Sequence, residues 1–200
     1  METIAAIIAG AAAKVYDDGV DGGIITDETH KKILETLQCY LLGALSMNNF
    51  TFSLVNMVIN LLNHLANKEA YANPYEYSLL AVYPIFLFLS FGTRSYLTRG
   101  DLIIFIILSA GLFLEPLLVT EDKSPRKFII RLGIFLEMCL FLYLDLGLSS
   151  GIYLTILYAV GYFFISSLYQ GYHVLNMPFT DFKKEFVEGI ADILNKFPRG

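Results

Sequence analysis

Acidic residues collect at two points of the sequence, and each collection follows a long apolar segment. Asp17, Asp18 and Asp21 lie within five residues in the stretch "KVYDDGVDGG". In a helix, residues three and four apart share a face, so the three carboxylates can direct oxygens to one point. A helix C-terminus favours positive charge. A divalent cation is the simplest compensation, and a site of oxygen ligands suits Mg²⁺.

The second collection, "EPLLVTED", places Glu115 and Asp122 seven residues apart, which is two turns along one helix face. Three bases follow directly: Lys123, Arg126 and Lys127. Acids that hold Mg²⁺ beside bases that neutralise oxygens form the arrangement that a diphosphate needs. The predicted metal ligands are Asp17, Asp18, Asp21, Glu115 and Asp122. Acids and bases at helix ends are also common as solvated residues of a membrane interface, and that alternative stays open.

The composition indicates which elements position these residues. Hydrophobic residues make up 56% of the 200 positions and charged residues 16%, whereas a soluble domain has about 25% charged residues. Unbroken apolar blocks such as "LIIFIILSAGLFL" favour membrane helices over a barrel, whose strands alternate. We predict an all-α, polytopic transmembrane helix bundle of about seven spans. They cover residues 2–18, 32–47, 50–67, 77–92, 101–120, 127–146 and 151–170.

The last segment, "FTDFKKEFVEGIADILNKF", has apolar residues at helical spacing with charges between them. This pattern is typical of an amphipathic helix that lies in the membrane interface. We therefore expect a transmembrane domain over residues 1–175, followed by an amphipathic interfacial helix and tail over residues 176–200.

Charge tests the topology that seven spans imply. The spans place both acidic clusters on one side of the membrane and the loops "GTRSYLTR" and "LGLSSG" on the other. Of the 14 Lys and Arg residues, Arg94 and Arg99 fall on that other side, and the remainder fall on or near the acidic side. Positive charge favours the cytoplasmic face. We expect an integral, multi-pass protein whose acidic motifs lie on the cytoplasmic or equivalent side, in a compartment that the sequence leaves open.

A stripe of asparagines marks one face of the segment 50–67. It includes Asn56, Asn60 and Asn63, at positions i, i+4 and i+7. Because amide side chains are costly in lipid, the stripe is expected to face the bundle interior. There it can contact a diphosphate or join helices by hydrogen bonds. No patch of the sequence is typical of nucleic-acid binding.

The acidic clusters resemble the two aspartate-rich motifs of the UbiA-type intramembrane prenyltransferases. The stretch "AAAKVYDDGVD", Ala11–Asp21, is similar to a first motif A-A-G-x-x-x-N-D-x-x-D, with Asp17 in place of Asn. Glu115, Asp122 and "KSPRKFIIRLG" resemble the second motif. Ile25 stands where the family has a further Asp, and the family's nine spans exceed the seven expected here. The resemblance implies an all-helical membrane enzyme that uses Mg²⁺ and a prenyl diphosphate.

On this interpretation the protein ionises a prenyl diphosphate with Mg²⁺, and Asp18, Asp21 and Asp122 are catalytic. The substrate-binding residues are Lys123, Arg126, Lys127, Asn56, Asn60 and Asn63. The resulting allylic cation is expected to face aromatic rings, whose alternative role is packing or the interfacial aromatic belt: Tyr153, Tyr158, Tyr162, Phe163 and Phe164. It then alkylates an aromatic or lipid acceptor, or it cyclises. The alternative is a membrane protein without enzymatic activity, either a subunit of a larger complex or a small cation channel.

Overall fold

The computed structural model describes residues 1–21, 23–67, 85, 89, 98–118, 124–144 and 146–196. These residues are all-helical, without strands in the described part of the chain, which confirms the predicted class. The helices are α1 Glu2–Asp21, α2 Glu28–Asn48, α3 Phe50–Asn67, α4 Arg99–Leu118, α5 Pro125–Tyr143, α6 Ser150–Leu175 and α7 Phe179–Lys196. The predicted span 77–92 lies outside the described residues, apart from residues 85 and 89.

The first acidic cluster lies at a helix end, as the sequence predicts. α1 ends at Asp21. Gly23 then adopts a φ of 67°, a left-handed conformation that glycine reaches without steric cost. The Ile25 N–H donates to the Gly19 carbonyl at 2.7 Å, and this contact fixes the turn that follows the helix.

Three helix starts meet at one end of the bundle, which we call the capping end. Asn49, between α2 and α3, donates from Nδ2 to Ser150 Oγ at 2.8 Å. The buried Asp101 carboxylate accepts from the Thr98 N–H at 2.7 Å and from the Ser149 N–H at 2.8 Å. Asp101 therefore ties the N-terminus of α4 to that of α6, so α3, α4 and α6 all begin at this end.

Two glycines allow a very close contact between the backbones of α1 and α6. A Cβ atom on Gly10 would overlap the backbone carbonyl of Tyr158, and one on Gly161 would overlap the carbonyl of Ile7. Because the two backbones touch directly, only residues without a side chain fit at this crossing. α6 also packs against α5 and α3, which makes it the central helix of the bundle.

Many polar side chains are buried beside the hydrophobic core of the bundle, and many large apolar side chains are exposed on its surface. Leu102, Ile103 and Ile106 of α4 are each more than half exposed. Every other helix except α3 also carries exposed large hydrophobic side chains in its described part. Conversely, polar or charged side chains from the first six helices and their caps are buried: Lys14, Gln38, Ser46, Asn49, Thr51, Ser53, Asn56, Asp101, Ser124, Arg131, Thr155, Ser166, Ser167 and Gln170.

Among the described residues, one helix is long and apolar enough to cross a membrane. It is α6, Ser150–Leu175, with a mean hydropathy of 1.6 over a stretch that is 61% buried. The prediction of seven spans is therefore not supported by the lengths and compositions of the described helices. α1, α2 and α5 carry too many charged residues, and α3 has an apolar described part of only ten residues, Phe50–Ile59.

Candidate functional site

Lys14 joins the two leading aspartates of the first acidic motif. Its Nζ lies 2.7 Å from Asp17 Oδ2 and 2.6 Å from Asp18 Oδ1. The residue is 2% exposed, so its ammonium is held away from water. Lys14 precedes the aspartates by three and four residues, and that spacing brings all three side chains to one face of α1.

α6 completes the surroundings of this ion pair with an aromatic side chain. The Tyr162 hydroxyl donates to Asp17 Oδ2 at 3.1 Å. Its ring centroid lies 5.1 Å from Lys14 Nζ, within the range of a cation–π contact. One of the five rings that the sequence offers to a substrate cation therefore contacts a cation of the chain itself.

α5 adds a second buried cation. Arg131 Nη1 donates to Ser166 Oγ of α6, and both residues are buried. The guanidinium is close enough to act electrostatically on Lys14 and Asp17. The charged cluster consists of Lys14, Asp17, Asp18, Arg131, Tyr162 and Ser166. Its two cations balance the two carboxylates.

The charged cluster lies at the end of the bundle opposite to the capping end. Ser166 follows Ser150 by 16 residues, or about 24 Å along a helix. On α1, Asp17 lies beyond the glycine crossing in the direction of the C-terminus, as Ser166 does on α6. The two helices therefore run in the same direction, and α1 ends at this second end, which we call the charged end.

Two of the five predicted metal ligands have described side chains. Asp17 and Asp18 lie together in the charged cluster. The side chains of Asp21 and Glu115, and the whole of Asp122, lie outside the described residues. Within the described part of the chain, no group of three His, Cys, Asp or Glu residues could hold a metal ion.

The described residues, as arranged, do not fit a bound Mg²⁺. Asp17 and Asp18 offer suitable oxygen atoms, yet the Lys14 ammonium contacts both carboxylates. A magnesium ion would need to approach those oxygens to about 2.0–2.1 Å, where the ammonium would repel it. Asp18 Oδ2 remains buried without a hydrogen-bond partner among the described residues.

Two of the three predicted phosphate-binding bases lie at the start of α5. Ser124 caps this helix and accepts from the Lys127 N–H at 3.2 Å, and Pro125 takes the first helical position. Arg126 and Lys127 are therefore in the first turn, one turn before Arg131, and Lys127 shares a helix face with Arg131. Lys123 lies outside the described residues.

Asn56, the member of the asparagine stripe whose side chain is described, faces the bundle interior but does not reach the charged cluster. Asn56 Nδ2 donates to the Phe52 carbonyl at 2.8 Å and to Thr155 Oγ1 at 3.4 Å. Both asparagine and threonine lie within two turns of the capping end. Asn56 thus joins α3 to α6, the interhelical alternative, and is not brought to the acids. The side chains of Asn60 and Asn63 lie outside the described residues.

Sequence reasoning missed two charged residues of the cluster. The signal for Lys14 was its spacing from Asp17 and Asp18, which matches the spacing used to group the acids themselves. The signal for Arg131 was an ionisable residue inside the apolar run "FIIRLGIF", a position at which a partner is required.

The connection after α1 leads to a well-capped α2. Asp27 accepts from the His30 N–H at 3.0 Å and from the Thr29 N–H at 2.8 Å. These hydrogen bonds, that from His30 first, lower the pKa of the Asp27 carboxyl below its ordinary value. The carboxylate therefore caps the helix that follows the charged end.

No family model, curated protein or solved structure matches this chain. The similarity to UbiA-type prenyltransferases consequently rests on the residues of the two acidic motifs alone. The geometry of the charged cluster is independent of that similarity.

Proposed function

We propose that the chain is a multi-pass membrane protein that binds a prenyl diphosphate at the charged end and cleaves its diphosphate. One observation carries this proposal. In the charged cluster the two cations, Lys14 and Arg131, are buried, and the carboxylates Asp17 and Asp18 are partly buried, at one end of a bundle that exposes many apolar side chains. Charged groups at membrane depth are costly and indicate function.

The distribution of polar and apolar residues supports embedding in a bilayer. Monomeric soluble proteins rarely expose large contiguous apolar surfaces. Here exposed apolar side chains occur on six of the described helices, and one apolar helix of sufficient length lies at the centre. A bilayer would cover the exposed faces, while the buried polar residues would join helices inside it.

The helix directions support a shared side for the two acidic motifs. α1 ends at the charged end, and α4 begins at the opposite, capping end. A helix of 20 residues rises about 30 Å, enough to carry α4 across the bundle. The C-terminus of α4, whose last turn carries Glu115, would then lie near the end that contains Asp17 and Asp18.

The residues of the chain suggest separate roles in this reaction. Arg126, Lys127 and Arg131 would neutralise the phosphate oxygens, since guanidinium groups pair well with phosphate. The apolar interior would keep water from the allylic cation, and Tyr162 would offer it a ring face. Glu115, Asp122 and Asp21 are the acids proposed to hold Mg²⁺, which would further neutralise the leaving diphosphate, and Asp17 and Asp18 would join them only after the Lys14 ammonium had left.

Transfer of the prenyl group to an aromatic or lipid acceptor and cyclisation of the cation both start from this ionisation. The two outcomes differ in whether a second molecule is bound beside the prenyl diphosphate when the cation forms. Product analysis therefore separates a transferase from a cyclase after cleavage itself is established.

A membrane protein without enzymatic activity is the second candidate, and one observation favours it. Lys14 and Arg131 balance Asp17 and Asp18 without any added ion. Such a balanced ion cluster can specify how helices pack without taking part in any reaction. The exposed apolar faces would then contact other subunits of a membrane complex.

Diphosphate release by the purified protein distinguishes the two candidates. The protein would be incubated with labelled geranyl, farnesyl and geranylgeranyl diphosphates, with and without Mg²⁺. We expect Mg²⁺-dependent release with at least one chain length, and its loss in Asp18→Asn. Asp181→Asn, which changes an exposed acid of α7, is the matched control and is expected to retain activity. Absence of release with every chain length would favour the second candidate.

A further inference from the structure

Lys14 occupies the position that the sequence assigns to a divalent cation. Its ammonium is the common partner of Asp17 Oδ2 at 2.7 Å and Asp18 Oδ1 at 2.6 Å. We propose that Lys14 is a tethered cation, which must leave these carboxylates before a divalent ion binds to them. The identity of the site as a metal–diphosphate site rests on the proposed function, whereas the exclusion of metal by Lys14 does not.

Geometry and charge both support this exclusion. Lys14 is 2% exposed, whereas the side chains of Asp17 and Asp18 are 40% and 18% exposed, so the ion pairs are closed to solvent on the lysine side only and salt screens them less than a fully exposed pair. Arg131 adds a second positive charge that acts on Asp17. A metal ion arriving alone would therefore meet two cations and two carboxylates that are already neutralised.

Lys14 is also held from the side that faces α6. The Tyr162 ring lies against the ammonium, and its hydroxyl donates to Asp17. Asp18 Oδ2, by contrast, is buried and has no hydrogen-bond partner among the described residues. This oxygen is therefore available as a ligand for a cation that replaces the ammonium.

An anion can release Lys14 where a metal alone cannot. A diphosphate would give the ammonium new acceptors, and Asp17 and Asp18 would then be left for a divalent ion. Metal and diphosphate are therefore expected to bind together, and the unliganded protein is expected to bind metal weakly.

Titration of the purified full chain with Mn²⁺ in detergent, followed by electron paramagnetic resonance, tests the exclusion. We expect Lys14→Met to bind Mn²⁺ at least about tenfold more tightly than the unaltered protein, because a positive charge beside the metal is removed. Lys14→Arg keeps that charge and should behave as the unaltered protein. Lys31→Met, which removes an exposed lysine paired with Glu28 at 2.8 Å, is the matched control and should not gain affinity.

Equal Mn²⁺ affinity in Lys14→Met and the unaltered protein would overturn the proposal, as would tight binding by the unaltered protein. If Lys14→Met does not fold, the double variant Lys14→Gln, Asp17→Asn removes one positive and one negative charge together. It leaves the Asp18 carboxylate without the Lys14 ammonium, while Arg131 is unchanged. It must still bind Mn²⁺ more tightly than the unaltered protein. A gain in Mn²⁺ affinity without any cleavage of prenyl diphosphates would sustain this inference and remove the proposed function.

Discussion

The glycine crossing between α1 and α6 makes a sharp prediction for Gly161→Ala. The added methyl group would meet the backbone of Ile7 and Ala11, which cannot rotate away as a side chain can. The helices must therefore separate by about 1 Å or more to restore an ordinary contact of about 3.5 Å. That movement would also stretch the hydrogen bond between Tyr162 and Asp17, which is 3.1 Å long.

The expected change is a loss of about 2 kcal/mol in the free energy of unfolding. Overpacking costs about 1–3 kcal/mol and a lost hydrogen bond about 0.5–1.5 kcal/mol. The better helix propensity of alanine offsets about 1 kcal/mol of this. Gly133→Ala is the matched control, because a Cβ there meets nothing within 4 Å. That variant is expected to be more stable than the unaltered protein by about 0.4–1 kcal/mol.

Reversible unfolding of both variants in detergent micelles, followed by circular dichroism, measures the difference. Gly161→Ala should unfold at a lower denaturant concentration than the unaltered protein, and Gly133→Ala at a higher one. Equal stability of the two variants would refute the close backbone contact and, with it, the placement of Tyr162 against α1.

Two further predictions concern helix starts. Asp101→Ala leaves two backbone N–H groups at the capping end without their acceptor, and should cost about 2–4 kcal/mol in the same unfolding assay. Asp181→Ala, at an exposed position, should change stability by less than about 0.5 kcal/mol. Because folding lowers the pKa of Asp27, its cap contributes fully above the unfolded pKa of about 3.9. The contribution is lost as pH falls through the lower folded pKa. The protection of the amides at the start of α2 against exchange, relative to their intrinsic exchange rates, should therefore fall below about pH 4, whereas Asp27→Asn, which cannot titrate, should show no such loss of protection.

The sequence was sufficient for the helical class and for placing the first acidic cluster at the C-terminal end of α1, although the helix continues to Asp21, three residues beyond the predicted limit. Apolar blocks without alternation argue against strands, and the helical spacing of the aspartates together with the glycines around them indicates a helix end in this stretch. Both predictions follow from local rules of residue spacing and backbone conformation. Gly23, two residues after the end of α1, has the positive φ that a glycine allows at such a position.

Contacts between distant residues were beyond such rules. Asp101 lies in the first turn of α4, but its carboxylate also accepts a hydrogen bond from the Ser149 N–H, 48 residues later. Arg131 and Ser166 are likewise 35 residues apart, so neither sequence segment reveals the other. Lys14 is the exception, since its partners Asp17 and Asp18 are only three and four residues away. Its ion pairs could be predicted from the same helical spacing that groups the acids.

If the protein spans a bilayer as proposed, the charged end and the capping end must lie on opposite sides of it. Single cysteines would be introduced at Thr26, Leu146 and Asn176, after replacement of Cys39 and Cys139. They would be labelled with a membrane-impermeant maleimide in sealed vesicles of one orientation. We predict labelling of the Thr26 and Asn176 positions from one side and of the Leu146 position only from the other. Labelling of all three from the same side would contradict the account.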